Sequence, residues 1–177
     1  MIHPRIRPTV VADAQQVIGL DRALAEAGDG MVLTPEQVRT LEEEQRRIDE
    51  VHRAASAGDA TLSVVAEMLE PTARIVGSGD LRQHGPSRCA HVAMLSLGVH
   101  PSFQRRGIGR ALMEHLIDHA KARGLVRLEL FVRSDNHKAQ ALYQSLGFSH
   151  EGTRARFVRL DEGTYVDDFT YVKFLRM

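Results

Sequence analysis

The sequence has one cysteine, no tryptophan and nine other aromatic residues in a chain of 177. Because a single cysteine cannot form an internal disulfide, a disulfide-built secreted domain is excluded and a reducing cytoplasm is predicted. The chain has no apolar run long enough to cross a bilayer, and Met1 to Arg5 lack the apolar core of a signal peptide. We therefore expect a cytoplasmic protein with no membrane partner.

An excess of charge of either sign is also absent. The 23 Lys and Arg residues balance the 23 Asp and Glu residues, so the formal net charge is zero. Proteins that bind nucleic acid mainly through phosphate contacts need a basic surface, so no nucleic-acid partner is expected. A chain of 177 residues with 43% hydrophobic content can bury its own core. Residues 1–177 are predicted to form a single domain, and the sequence is compatible with a homodimer.

What the sequence does contain is a strand–loop–helix pattern between Val92 and Gly124. An apolar run from Val92 to Val99 precedes a glycine-containing loop, and a helical pattern follows from about Arg105 to Arg123. A helix N-terminus presents backbone N–H groups without intrahelical partners and carries a positive partial charge, so it can bind a phosphate. The order of these elements therefore predicts an anion site at the loop.

The residues of the loop suit such a site. Gly107 and Gly109 have no Cβ, so a ligand can approach the backbone closely. Arg105, Arg106 and Arg110 add positive charge at the same point. A dinucleotide fingerprint would need Gly or Ala where Leu112 stands, and the Gly-Lys-Ser/Thr of a Walker A loop is absent.

The pattern Gln104-x-x-Gly107-x-Gly109 resembles the acyl-CoA signature of the GCN5-related N-acetyltransferase (GNAT) superfamily. A second segment, Asn136 to Phe148, is also similar to that superfamily, so the resemblance extends from Val92 to Phe148. The segments Glu151-Gly152-Thr153 and Tyr165-Val166-Asp167-Asp168 resemble, more loosely, the branch that acetylates small amino compounds or amino acids.

The predicted fold class is α/β (α+β). A helix between the strands Val92–Val99 and Leu125–Val132 implies a right-handed crossover and parallel pairing, whereas short connections elsewhere favour an antiparallel meander. The resemblance implies a mixed, mostly antiparallel twisted sheet of about seven strands, flanked by about four helices. It also implies that the parallel pair splays apart at the cofactor site.

The resemblance implies an enzyme, an N-acetyltransferase that uses acetyl-CoA as co-substrate and needs no metal. Its acceptor would be a primary amine of a small molecule, an amino acid or related amine, which attacks directly in a ternary complex. The alternatives are a protein N-terminal or lysine acetyltransferase and a non-catalytic acyl-CoA sensor. The implied cofactor-binding residues are Leu97, Val99, Gln104, Arg105, Arg106, Gly107, Gly109, Arg110, Asn136 and Tyr143.

Tyr143 is also the implied catalytic acid, because a phenol can protonate the departing thiolate. The general base is left open between Glu129, His91, Asp167 and a water relay. Asp167 and Asp168 either attract a cationic amine or are solvated edge charges. His115 and His119 are four residues apart, but no third ligand accompanies them, so no metal site is predicted.

The other predicted elements are the strands Ile2–Thr9, Thr61–Glu67 and Arg74–Leu81, a helix Val10–Leu24, a helix starting at Thr34, a helix capped by Asp135 or Asn136, and two strands around Asp161–Gly163. Gly77 and Gly79 indicate a bulge or a close backbone approach. Thr34 and Gln37 form a capping box at the start of their helix. The mixed charges of Glu42 to Arg47 predict a solvated face.

Overall fold

The structure, a computed structural model, describes residues 4–28, 30, 32–69 and 72–175. Within these ranges the chain forms one seven-stranded sheet, in the order β1-β2-β3-β4-β5-β7-β6, and four α-helices. The strands are β1 Arg5–Pro8, β2 Leu62–Met68, β3 Arg74–Gln83, β4 Val92–Val99, β5 Arg127–Arg133, β6 Ser149–Arg159 and β7 Tyr165–Phe174. The helices are α1 Ala14–Ala27, α2 Leu41–Ser56, α3 Ile108–Ala122 and α4 His137–Ser145. The predicted architecture is confirmed.

Some predicted boundaries lie outside the described residues. One of these is Ile2, at the start of the strand predicted over Ile2–Thr9. Among the described residues, none of the helices has the length and apolar character needed to cross a membrane.

The sheet opens between its two parallel strands. Strands β1 to β4 form an antiparallel meander, and α3 then crosses over to place β5 parallel to β4. The parallel pairing extends only from Val92↔Arg127 to Met94↔Glu129. Beyond Met94 the two strands diverge, while β5 remains paired with β7 along its whole length. The predicted splay is therefore present at the carboxyl ends of β4 and β5.

Helix α3 packs closely on β3 because two glycines remove side chains from the contact. A Cβ at Gly77 would lie 3.1 Å from Leu112 Cδ1, and one at Gly79 would lie 3.1 Å from Leu116 Cδ1. Both leucines are fully buried. The expected close approach at Gly77 and Gly79 is confirmed, and it fixes the height of α3 above the sheet.

The predicted start of the second helix was wrong. The capping box at Thr34 forms, with the Thr34 N–H donating to Gln37 Oε1 at 3.0 Å, but it begins only a 3-10 turn. The backbone then becomes extended at Val38, with ψ of 136°. A second box at Thr40 begins α2, and Thr40 Oγ1 accepts from the Glu43 N–H at 3.3 Å. The sequence contains two successive capping boxes, at Thr34 and Thr40, and the prediction placed the start of the helix at the first of them.

The prediction of a solvated charged face on α2 holds for Glu42, Glu43 and Arg46 but was wrong for two residues. Glu44 is 0% exposed and Arg47 is 8% exposed, because both side chains lie between α2 and the sheet. Glu42 and Arg46, on the opposite side, remain exposed and form an i,i+4 pair. A buried pair carries the same sequence signature as a surface pair, so alternation of charge did not distinguish them.

Two further helix starts differ from prediction. Helix α1 begins at Ala14, since the chain first forms a 3-10 turn over Val11–Asp13. Helix α3 begins at Ile108 and not near Arg105, because Arg105 and Gly107 have φ angles of +61° and +82°. These angles lie in the left-handed region and cannot be part of a right-handed helix.

Candidate active site

The backbone of β4 presents hydrogen-bonding groups to the gap between β4 and β5. The Val92 carbonyl oxygen accepts from the His84 N–H, and the His100 N–H donates to the Val76 carbonyl oxygen, so even-numbered residues of this strand face β3. Along a strand, successive residues point their backbone groups to opposite edges. The N–H groups of Leu97 and Val99 therefore face β5, where strand pairing has already ended.

The loop after β4 converges on the same gap. The Gln104 side chain donates to the Val99 carbonyl oxygen at 3.4 Å. Gly107 is the N-cap of α3, and the first intrahelical bond runs from the Ala111 N–H to its carbonyl oxygen at 3.0 Å. The N–H groups of the preceding helical residues, 108–110, consequently have no partner within the helix, which is the arrangement that an anion site requires.

A cavity of about 730 Å³ joins this loop to the gap and continues to the opposite face of the sheet. At the loop end it is bounded by α3 and α4. Its other end, here called the acceptor end, is lined by Leu24, Val32, Met94, Ser96, Phe131, Arg154, Phe157 and Asp168. Phe131 and Phe157 are 43% and 55% exposed, so the acceptor end opens to solvent.

Nine of the ten cofactor-binding residues expected from the sequence line this cavity; they are Leu97, Val99, Gln104, Arg105, Gly107, Gly109, Arg110, Asn136 and Tyr143. Arg106 does not line it. Its guanidinium lies over the Phe103 ring, 5.0 Å from the centroid, and donates to the Ser102 carbonyl oxygen. The left-handed turns at Arg105 and Gly107 direct Arg106 away from the cavity.

Asn136 connects the cavity wall to the segment after α1. Its Oδ1 accepts from the Ala139 N–H at 3.1 Å and caps α4, as one of the two predicted caps. A Cβ at Gly30 would lie 2.2 Å from Asn136 Nδ2, so a larger residue there would have to displace this amide. Arg133 donates to the Gly28 carbonyl oxygen at 3.1 Å. These contacts hold the chain beyond α1 at the edge of the cavity.

Tyr143 lies on α4, where its ring packs against Phe148 and Tyr171. Burial raises the pKa of the Tyr143 phenol to about 12. The group is therefore fully protonated near neutral pH and can act as a proton donor but not as a base. It lines the cavity, and α4 places it on the same side as the N-terminus of α3.

None of the three candidate bases lines the cavity. Glu129 lies where β4 and β5 still pair, and its Oε1 is 3.0 Å from His84 Nε2. His91 is exposed at the start of β4, the end far from the gap. Asp167 accepts a hydrogen bond from the Arg156 N–H at 2.7 Å. Among the residues that the structure describes, the carboxylate that lines the cavity is Asp168.

Asp168 is 3% exposed and forms an ion pair with Arg154. Its interpretation as a solvated edge charge was therefore wrong. The sequence analysis also missed Phe131, Arg154 and Phe157, which lie near Asp168. Their alignment depends on an irregular segment of β6, for which the sequence offers no periodic signal. Lys138, in the first turn of α4, also lines the cavity and was missed.

Comparison with known proteins agrees with this geometry. The model of the acetyltransferase (GNAT) family matches residues 32–148. The ribosomal protein bS18-alanine N-acetyltransferase of Salmonella typhimurium is 47% identical over 70 residues, which are 40% of this chain and 47% of that protein. The N-alpha-acetyltransferase RimI of Mycobacterium tuberculosis is 41% identical over 86 residues, 49% of this chain and 52% of that protein. The chain thus spans about half the length of the curated relatives it matches.

The similarity of this chain to solved structures extends over nearly its whole length. An acetyltransferase of the GNAT family from Streptococcus pneumoniae superposes with a TM-score of 0.86 at 25% identity, covering 97% of this chain and 99% of that one. The sequence matches are local, whereas the structural match includes both ends of the sheet.

Proposed function

The chain belongs to the acetyltransferase (GNAT) family, and we propose that it transfers the acetyl group of acetyl-CoA to a primary amine of a small molecule, an amino acid or related amine. The observation that carries this proposal is the continuous cavity from the N-terminus of α3, through the gap between β4 and β5, to the acceptor end. Two substrates that enter from opposite faces of the sheet can meet only in that gap.

The residues at the loop end fit acetyl-CoA. A Cβ built at Gly107 meets no atom within 4 Å, so the loop leaves open space over the helix N-terminus. Unpaired helix N–H groups and the cationic side chains of Arg105 and Arg110 suit a pyrophosphate. The N–H groups of Leu97 and Val99 are available to an extended amide-containing arm, which would add to β4 as a short strand.

Acetyl-CoA supplies a thioester: the acceptor nitrogen attacks its carbonyl carbon, a C–N bond forms, and sulfur leaves with the electrons of the C–S bond. In the proposed mechanism a backbone N–H of β4 stabilises the developing negative charge on the carbonyl oxygen. Tyr143 donates its proton to the departing sulfur and recovers one from solvent. Holding both reactants in the gap supplies much of the rate by proximity.

The proton of the acceptor ammonium leaves, in this proposal, to water at the open acceptor end. The side chains there include exposed Phe131 and Phe157, and the three expected bases lie outside the cavity. An amine with pKa near 10 is deprotonated in a small fraction at neutral pH, and that fraction reacts. No side-chain base is required.

A protein N-terminal amine is the second candidate acceptor. It is favoured by the names of the Salmonella and Mycobacterium relatives, which are N-acetyltransferases of ribosomal protein alanine and of α-amines. An extended peptide could reach the gap through the same acceptor end. A non-catalytic acyl-CoA sensor would use only the loop end.

The test is release of free thiol from acetyl-CoA with amino acids, polyamines, aminoglycosides and alanine-initiated peptides as acceptors. A thermal shift with acetyl-CoA is measured in parallel on the wild type, on Arg110→Gln and on Arg53→Gln. Arg53 is an exposed control on α2. We expect turnover with amino acids and a smaller shift in Arg110→Gln than in the control. A shift without turnover would favour the sensor, and no shift would contradict the acetyl-CoA site.

A further inference from the structure

The wall of the acceptor end is built by a bulge in β6. Strands β6 and β7 are in register at Arg154↔Asp168 and again at Val158↔Val166, so three residues of β6 stand opposite the single residue Asp167. Arg156 within the bulge has a φ of +51°, and its N–H donates to Asp167 Oδ1 at 2.7 Å. Such backbone strain persists only where the surroundings hold it.

The bulge places Arg154 between two aromatic rings. Its guanidinium carbon lies 3.8 Å from the centroid of Phe131 and 3.7 Å from that of Phe157. Arg154 Nε donates to Asp168 Oδ2 at 3.0 Å, and Nη2 contacts the same oxygen. Both faces of the guanidinium are thus covered, and one edge is occupied by Asp168. The other edge of the guanidinium carries the two N–H groups of Nη1 and the second N–H group of Nη2, which do not contact Asp168.

We propose that this free edge of Arg154 binds the carboxylate of an amino acid acceptor and makes the carboxylate a requirement for efficient acetylation. The inference rests on the proposed function and names its substrate class. A planar guanidinium whose faces are stacked can be approached only in its plane, which is the geometry of a bidentate carboxylate. Phe131 and Phe157 keep it from rotating, so the donors are held in position before the acceptor arrives.

The charge of the cavity favours the same class. Among the described residues that line it, the cationic side chains are Arg105, Arg110, Arg133, Lys138 and Arg154, and the acidic one is Asp168. Asp168 is already paired with Arg154. A polyamine or an aminoglycoside would bring several positive charges to a wall without free carboxylates, whereas an acceptor carboxylate would meet a cation.

The first experiment compares each active amino acid with its carboxamide, with spermidine added as a polycation. We expect the amino acid to exceed its amide in kcat/KM by at least about ten-fold, since loss of a charged hydrogen-bonded pair at a built site costs at least that much. Equal kcat/KM for acid and amide, preference for spermidine, or no turnover of any amino acid would overturn the inference.

The second experiment locates the effect at Arg154. Arg154→Gln would leave Asp168 buried without its partner, so it is combined with Asp168→Asn to keep the wall neutral. Arg154→Lys retains the charge without the planar edge, and Arg159→Gln is the control, because Arg159 is exposed on β6 outside the cavity. We expect the acid-to-amide ratio to fall toward one in the double variant, to fall partly in Arg154→Lys, and to persist in Arg159→Gln.

The acetyl-CoA thermal shift separates this inference from the function on which it rests. A double variant with the wild-type shift and the wild-type acid-to-amide ratio would overturn the role of Arg154 while leaving the acetyltransferase intact. A wild type with no acetyl-CoA shift would overturn the proposed function and this inference together. A wild type that prefers a peptide to every free amino acid would overturn this inference and replace the small-molecule acceptor by the second candidate, while acetyl transfer itself would stand.

Discussion

Arg47 on α2 joins Glu44 of its own helix to Asp80 on β3: its Nη2 lies 2.6 Å from Glu44 Oε1, and its Nη1 lies 2.8 Å from Asp80 Oδ1. Arg47 and Glu44 are both buried. They lie on the face of the sheet that also carries the acceptor end, because Asp80 stands in register with Ser96 of β4, which lines that end. A buried cation with two carboxylates fixes the orientation of α2 over the sheet.

Replacing Arg47 by methionine should destabilise the protein by up to about 3–5 kcal/mol, because the fully buried Glu44 then keeps only the half-exposed Arg39, 3.3 Å away, as a cationic partner. Arg46→Met is the matched control. Arg46 is one residue away on the same helix, but it forms an exposed pair with Glu42, and such pairs contribute less than about 1 kcal/mol. Urea unfolding of both variants measures the difference. Equal losses would mean that the Arg47–Glu44 pair is not buried in solution.

Asp21 on α1 should make the stability depend on pH. Burial and the nearby Glu44 carboxylate raise the pKa of Asp21 from 3.8 to about 6. The folded state therefore binds this proton more tightly, and the resulting stabilisation is complete below about pH 4 and is lost as the pH rises through about 6.

Asp21→Asn removes that titration. At pH 8 the variant should have a free energy of unfolding roughly 1–3 kcal/mol higher than the wild type, whereas at pH 4 the two should be similar. Chemical denaturation at both pH values measures the difference. The same change in stability at pH 4 and pH 8 would show that Asp21 titrates normally.

Two glycines should respond in opposite ways to alanine. At both Gly107 and Gly19 an added Cβ meets no atom within 4 Å, so space does not distinguish them. Gly107 has a φ of +82°, where Gly107→Ala should cost about 1–2 kcal/mol. Gly19 lies inside α1, where Gly19→Ala should stabilise by about 0.5–1 kcal/mol. Thermal unfolding tests both, and a stabilised Gly107→Ala would contradict the left-handed loop.

Tyr143→Phe should lower kcat by about a hundred-fold or more, because phenylalanine cannot protonate the departing sulfur. The acetyl-CoA thermal shift should stay unchanged, since the ring contacts with Phe148 and Tyr171 do not involve the hydroxyl. Activity equal to the wild type would remove Tyr143 from the mechanism, whereas loss of the thermal shift would assign it a binding role.

Glu129→Gln should keep at least about half of the wild-type kcat. Glutamine preserves the shape of Glu129, which contacts His84 and lies where β4 and β5 still pair. If no side chain removes the acceptor proton, log kcat/KM should rise with pH up to the pKa of the acceptor amine itself. A plateau well below that pKa, or a large loss in Glu129→Gln, would identify a protein base.

Much of the fold followed from local sequence. The apolar run of β4, the alternating apolar residues of β5, the helical pattern of α3 and the turn at Gly163 were enough to place their elements. The loop Gln104–Gly109 was recognised because the physical need for a close approach restricts residue type at particular positions. The same restriction explains why nine of the ten expected cofactor-binding residues line the cavity.

The sequence by itself determined where an anion can meet a helix N-terminus, because the chemistry of that site is contained in consecutive residues. Only the tertiary structure decided which charges are buried and what forms the acceptor end. Arg47 meets Asp80, and Arg154 meets Phe131, across strands that are distant in sequence. The bulge in β6, where three residues stand opposite Asp167, decides the second contact. Such contacts arise from packing and register, which no local pattern of residues encodes.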